Sequence, residues 1–186
     1  NDGHDTFNTL RGFIAHGTKF KPKLSGNQGI ADCPFCQSKE KFYANSETQL
    51  WDCKRCGRKG NFSQFLSQKF LTDYQIGVSK SFLSKWANYR NLPSSYFTHW
   101  TLGSKENQLI LPIYNYQKQI IDLRIATLNK KIISTPTVKV GLFGLSRLLE
   151  SKHDENVYIC EGEWDAIAWQ GLLKDLKLPG IVIGVP

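Results

Sequence analysis

Cys33-Pro34-Phe35-Cys36 and Cys53-Lys54-Arg55-Cys56, with Gly57 directly after the second pair, stand sixteen residues apart. Two C-x-x-C pairs at that separation place four thiolates at one end of a hairpin, where they form the corners of a tetrahedron around Zn²⁺. All four corners are protein ligands, so no position stays open for water and the metal is expected to be structural. A module this small buries too little apolar surface to fold alone, and metal binding adds folding free energy on the order of 10 kcal/mol. The fifth cysteine, Cys160, lies far from both pairs. This uneven use of cysteine argues against a secreted disulfide framework and for reducing, cytosol-like conditions.

Outward from the pairs, residues 41–45 and 49–52 alternate as two short strands of a hairpin. Upstream, residues 5–16 place Phe7, Leu10, Phe13 and Ile14 at helical spacing, with Asp5 or Thr6 as cap and Gly17 as stop. A polar, Lys-rich stretch over 17–29 follows. Downstream, Asn61 caps a helix with Phe62, Phe65, Leu66 and Phe70 on one face. Residues 71–100 read as helical and aromatic, broken at Leu92-Pro93-Ser94-Ser95. QLILPIYNY from Gln108, a turn at Gln117-Lys118 and QIIDLRIATL make a second hairpin. VYIC at 157–160, the turn EGE, a helix from about Trp164 to Leu173 and the strand GIVIG then form a βαβ unit.

The fold class expected is therefore α+β with an α/β end. Its parts are a zinc β-ribbon module over 1–70, a helical linker over 71–100 and a third unit over 101–186. The chain has no methionine and starts at Asn1, and GIVIGVP reads as a buried strand with nothing after it to complete a sheet. A fragment of a longer protein is the expectation. No run approaches the roughly 18 apolar residues of a membrane span, and no apolar leader opens the chain.

The formal net charge is +8. Residues 1–100 carry 14 basic and 7 acidic side chains, and residues 101–186 carry 10 and 9, so the attraction for a polyanion sits in the half that holds the cysteines. Lys54, Arg55, Arg58 and Lys59 crowd the second cysteine pair, and Phe42, Tyr43 and Trp51 lie on the hairpin strands. Cations interleaved with aromatic rings suit single-stranded nucleic acid, where phosphates need charge and unstacked bases need flat partners. The alternatives are a solvated basic surface and, for Trp51, a place in the core.

In VYIC-Glu161-Gly162-Glu163-Trp164-Asp165, a strand ends in a carboxylate and two more acids open the next helix. Open α/β sheets place active sites at the carboxyl ends of their strands, and clustered carboxylates there hold Mg²⁺ for phosphoryl chemistry. The plainer alternative is that Glu163 and Asp165 favour the helix dipole.

The order of ribbon, hairpin and strand-E-G-E-x-D-helix resembles the zinc-ribbon TOPRIM primases, bacterial-type enzymes, and more closely the phage primase-helicases and Twinkle-like proteins. The stretches that carry this are GIADCPFC, KFYAN, LWDCKRCGRKGNFSQFL, YRNLPSSYFTHWTLG, LILPIYNYQKQIIDLRIAT, GLFGL and YICEGEWDAIAW. The resemblance implies a template-recognition ribbon ligated by Cys33, Cys36, Cys53 and Cys56, with Cys36 standing where many cellular members have His. It further implies that residues 101–186 are the RNA polymerase domain, made of a primase basic subdomain and a truncated TOPRIM domain. Glu161, with Glu163 and Asp165 nearby, matches the catalytic, metal-binding acids. Arg124, Lys130 or Lys131, and Lys139 fall where such enzymes contact nucleotide triphosphate or template. The family's D-x-D metal motif belongs beyond the next helix, where this chain has ended. The implied cofactors are structural Zn²⁺ and catalytic Mg²⁺ or Mn²⁺. The implied partners are single-stranded DNA, ribonucleoside triphosphates and a fused or separate replicative helicase, in the cytoplasm of a bacterial or phage-infected cell in preference to the mitochondrial matrix.

Primer synthesis by a DNA primase is the leading expectation. A non-catalytic single-strand-binding module that loads a linked helicase is the second, and a TOPRIM nuclease or topoisomerase the third. The hairpin before the acidic strand favours the first.

Overall fold

The computed structural model describes residues 9–21, 27–128, 130–136, 138, 140–151 and 155–186. Its ribbon is a four-stranded antiparallel sheet of β1 (Gln28–Ala31), β2 (Phe42–Asn45), β3 (Trp51–Cys53) and β4 (Lys59–Gly60), in that order. Strand alternation turns Phe42, Ala44, Trp51 and Cys53 inward and Tyr43 and Asp52 outward. Helix α1 (Arg11–Ala15) packs against this inner face through Leu10 and Phe13, which are fully buried, and Gly17 ends it with a φ of +92°. The part of the expected helix over residues 5–8 lies outside the described residues.

Helix α2 (Phe62–Lys69) starts as the sequence predicts. The Asn61 side chain accepts from the Gln64 amide and the Gln64 side chain accepts from the Asn61 amide. Phe65 and Leu66 are fully buried, and a π-helical turn (Phe70–Tyr74) continues the rod. Helix α3 (Lys80–Arg90) is capped by Ser79 and stops at Asn91 in the left-handed region, two residues before Pro93; α4 (Ser94–Phe97) follows. The stretch expected as a linker thus carries Trp86 and Phe97 at 0% exposure. Trp86, Tyr96, Phe97 and Trp100 form a wall of the core.

The second hairpin is β6 (Gln108–Tyr114) with β7 (Ile120–Ala126), joined by a strand that sequence did not predict, β5 (Gly103–Lys105). This sheet divides two hydrophobic cores. Ile110, Ile120 and Leu123 belong with the ribbon, α1 and α2, whereas Leu109, Leu111 and Ile113 belong with α3, α4 and the βαβ unit.

After α5 (Leu145–Leu148), the βαβ unit is β8 (Val157–Glu161), α6 (Gly162–Asp175) and β9 (Ile181–Val185), with β8 and β9 parallel. Gly162 makes the strand-to-helix turn at a φ of +86°. A side chain at Gly184 would meet the Gly162 carbonyl oxygen at 2.6 Å, so β9 passes directly beneath that turn. Among the described residues, no helix is long and apolar enough to cross a membrane.

Candidate functional site

Each cysteine pair is a tight knuckle built the same way. Gln37 N–H donates to Cys33 O (2.9 Å) and Gly57 N–H to Cys53 O (3.0 Å), and Gln37 and Gly57 both take positive φ, at 59° and 72°. Glycine fits that conformation without strain, which explains Gly57, whereas the first knuckle holds Gln37 in it. The register pairs Ala31 with Phe42 and Phe42 with Cys53, so both knuckles meet at one end of the sheet.

The four sulfur atoms lie within 4.8 Å of one another, and Cys36 Sγ is 3.8 Å from Cys53 Sγ. A regular tetrahedron with bonds of about 2.3 Å has edges of about 3.8 Å, so the donor set fits Zn²⁺ in both chemistry and size. Cys33 and Cys53 are buried and Cys36 and Cys56 exposed. Without metal, burial pushes the Cys33 thiol up to about 12, while the hydroxyl and amide of Ser38 pull Cys36 down to about 6. Metal binding therefore has protons to displace and strengthens as pH rises. Among the described residues, no other group of three or more His, Cys, Asp or Glu side chains converges in this way.

Trp51 is not available to a base. It is 3% exposed, stacks on Phe42 with ring centroids 5.4 Å apart, and donates from Nε1 to Asn61 O at 2.8 Å. The expectation that it stacks on nucleic acid is corrected to a core role, set by strand alternation that places it on the face of Cys53. Lys54, Arg55, Arg58 and Lys59 are exposed as expected. Lys54 pairs with Asp52 at 2.6 Å, and the Arg58 guanidinium lies 5.1 Å from the centre of the Phe35 ring.

In the βαβ unit, Glu161 closes β8 and Glu163 and Asp165 open α6. Glu161 and Asp165 are exposed and line a hollow of about 460 Å³ with Arg124, Ile132 and Ser134. Glu163 is 6% exposed and is held by Arg124. A second hollow of about 550 Å³ shares Ile132 and Glu163 with the first and is lined by Tyr89, Arg90, Lys130, Lys131 and Trp164. Together they make one groove with free carboxylates at one end and cations at the other. Solved primases align with most of this chain, at TM-scores below 0.5.

The zinc-binding and RNA polymerase domains of the Aquifex aeolicus primase match 97% of this chain and 66% of that one, at 15% identity and a TM-score of 0.38. The primase fragment of the bacteriophage T7 primase-helicase matches 82% of this chain and 65% of that one, at 12% identity and a TM-score of 0.41. A complex of bacteriophage T7 lagging-strand DNA polymerase with the primase domains of two gp4 subunits, an RNA/DNA hybrid and dTTP matches 83% and 65%, at 12% identity and a TM-score of 0.43. This chain thus spans just under two thirds of the length of each. No protein-family model and no curated protein matches the sequence.

Two expectations change. Arg124 reaches the wall of the first hollow but is 1% exposed, with all three guanidinium nitrogens facing protein groups, so its charge is spent within the protein before any nucleotide or template arrives. Glu163 is its partner and not a free carboxylate. Lys130 and Lys131 both line the groove, and Lys139 lies outside the described residues. Sequence reasoning passed over Arg90, whose guanidinium sits 3.8 Å from the centre of the Trp164 ring. As the last residue of a helix it has the signature of a cation on the helix dipole, and only the tertiary contact sets it apart.

Proposed function

We propose that this chain is the template-reading and nucleotide-holding part of a zinc-ribbon DNA primase. The observation that carries the reading is the groove of Glu161 and Asp165 at one end and Arg90, Lys130 and Lys131 at the other. That spacing of charge suits a nucleoside triphosphate, with phosphate oxygens on the cations and the reacting end beside the carboxylates. Mg²⁺ is commonly held by one or two carboxylates plus substrate phosphates and water, a donor set that Glu161 and Asp165 match. Bound there, it would polarise the α-phosphate and lower the pKa of an attacking 3′-hydroxyl. The exposed cations of the second knuckle supply an electrostatic track for single-stranded DNA next to the ribbon. A replicative helicase, fused or separate, is the partner this activity would serve.

The second reading, a single-strand-binding module without catalysis, draws on the withdrawal of Glu163 into an ion pair, which leaves only two free acids on the turn. Primer synthesis from labelled ribonucleotides on single-stranded template with Mg²⁺ or Mn²⁺ separates the two. It is run on the 186-residue chain, the complete gene product and its Glu161→Gln form. The primase reading expects template binding by the chain, primers from the complete product and a loss of about a hundredfold or more in Glu161→Gln. Primers undiminished by that substitution would remove Glu161 from the reaction, and no primers from any form would leave the binding module.

A further inference from the structure

Asp122 and Arg124 stand two residues apart on β7, so they share a face of the strand, and each is 1% exposed. A buried ion is tolerated only where partners surround it. Arg124 has three: Nη1 donates to Glu163 Oε1, Nη2 donates to Gly141 O at 2.7 Å, and Nε lies 3.4 Å from Asp122 Oδ2 in an ion pair that makes no hydrogen bond. Asp122 accepts on Oδ1 from the Thr135 amide at 2.8 Å. Thr135 Oγ1 meets His16 Nε2 at 2.8 Å, and His16 Nδ1 meets the Tyr74 hydroxyl at 3.1 Å. His16 is itself fully buried and caps the C-terminal end of α1, the helix packed against the ribbon. A run of buried polar groups therefore leads from the ribbon's seat to the first turn of α6, linked by charge alone between Asp122 and Arg124 and by hydrogen bonds elsewhere.

We propose that Arg124 is a positioning residue: it clamps Glu163 and so fixes the turn that presents Glu161 and Asp165 to the groove, with Asp122, Thr135 and His16 holding it in place. The purpose assigned to the clamp rests on the reading of Glu161 and Asp165 as the reacting end of the site. The clamp also separates like charges. With Glu163 drawn inward onto a guanidinium, two carboxylates instead of three share the open side of the turn, which spares them the repulsion of a third. Replacing Arg124 alone would leave Glu163 buried and unpaired, and the turn would have to open to hydrate it.

The test is amide exchange read by mass spectrometry on the 186-residue chain. It follows residues 166–169, the first hydrogen-bonded turn of α6, against the β2–β3 hairpin of the ribbon. Arg124→Gln should speed exchange at 166–169 about tenfold with the ribbon unchanged, and adding Glu163→Gln should recover part of that by removing the bare charge. Asp122→Asn keeps an acceptor for the Thr135 amide but removes the charge beside Arg124, and should produce a smaller acceleration at the same place. Should Arg124→Gln fail to fold, Asp122→Asn decides alone. Unchanged exchange at 166–169 in Asp122→Asn, or equal acceleration everywhere, would overturn the proposal. In the primer assay Asp122→Asn should lower kcat and leave the nucleotide KM unaltered, and a raised KM with undisturbed exchange would return Arg124 to the role of ligand. A wild-type protein that makes no primers would defeat the functional reading, while the exchange result would still decide the clamp.

Discussion

Lowering the pH should weaken the fold through His16, by an amount that the structure sets. Its ring is fully buried against Tyr74 and Thr135, and burial first, then the charges of Lys69 and Lys105, lowers its pKa to about 4. In the unfolded chain it returns to the ordinary value of 6.5. Between those two values the unfolded state binds the extra proton, so stability rises with pH across the window. His16 thus contributes fully above about pH 6.5, and its contribution drains away as pH falls toward 4. At 1.36 kcal/mol per pH unit the gap comes to roughly 3 kcal/mol, a large share of the total stability of a typical domain. Cysteine protonation and zinc release act in the same range, so the measurement is a difference. Urea unfolding is followed from pH 7.5 to 4.5 in the wild type and in His16→Gln, whose amide keeps a polar group near Thr135 but does not titrate. The stability advantage of the wild type should shrink as pH falls, with the loss approaching about 3 kcal/mol only near pH 4. Parallel curves would show that His16 titrates normally in the fold and would refute the reasoning.

Purified protein should contain about one zinc per chain, and Cys53→Ser should release it and unfold the ribbon, because binding supplies on the order of 10 kcal/mol there. Cys160→Ser, on β8, should leave zinc content unchanged by metal analysis. Trp51→Ala should cost about 3–5 kcal/mol in denaturant unfolding, as expected for a buried aromatic residue. Single-strand affinity of the folded fraction should stay as it was; a stable Trp51→Ala protein with weakened binding would put the ring back on the nucleic acid. Replacing Lys54, Arg55, Arg58 and Lys59 together should weaken single-stranded DNA binding and flatten its salt dependence, since each phosphate contact adds to the slope. Unchanged affinity and slope would make the knuckle a merely solvated surface.

What could be read in the residues depended on how local its cause is. The cysteine spacing, the Asn61 cap, the apolar runs of the β6–β7 hairpin and the glycine of the acidic turn are all set within a few residues, and each stands where the sequence places it. Strands β4 (Lys59–Gly60) and β5 (Gly103–Lys105) hold no β-branched or aromatic side chain to mark them. They exist because a neighbouring strand offers them hydrogen bonds. The misplacement of Trp51 was avoidable: two residues from a metal-facing cysteine on the same strand, it had to point the same way. Arg124 was not so legible. Its partner Glu163 is 39 residues distant, and an arginine in a strand of a basic protein looks like a surface cation until the fold closes over it.

The ribbon and the β6–β7 sheet share one aromatic core, in which Phe13, Phe42, Trp51 and Phe65 touch the same cluster as Ile110, Ile120 and Leu123, and Ser63 Oγ donates to Ile120 O at 2.6 Å. A reading head mounted on a hinge would sample many offsets between the bases it recognises and the site that acts on them. One welded through side chains has a single offset, so for the proposed primase the starting point on the template would be measured by a molecular ruler whose length is set by how Phe65 seats against β7. The same weld makes the metal's influence long-ranged. Stripping zinc would slacken the floor on which Asp122 and Arg124 rest, and the acidic turn would register the loss of an ion it never touches.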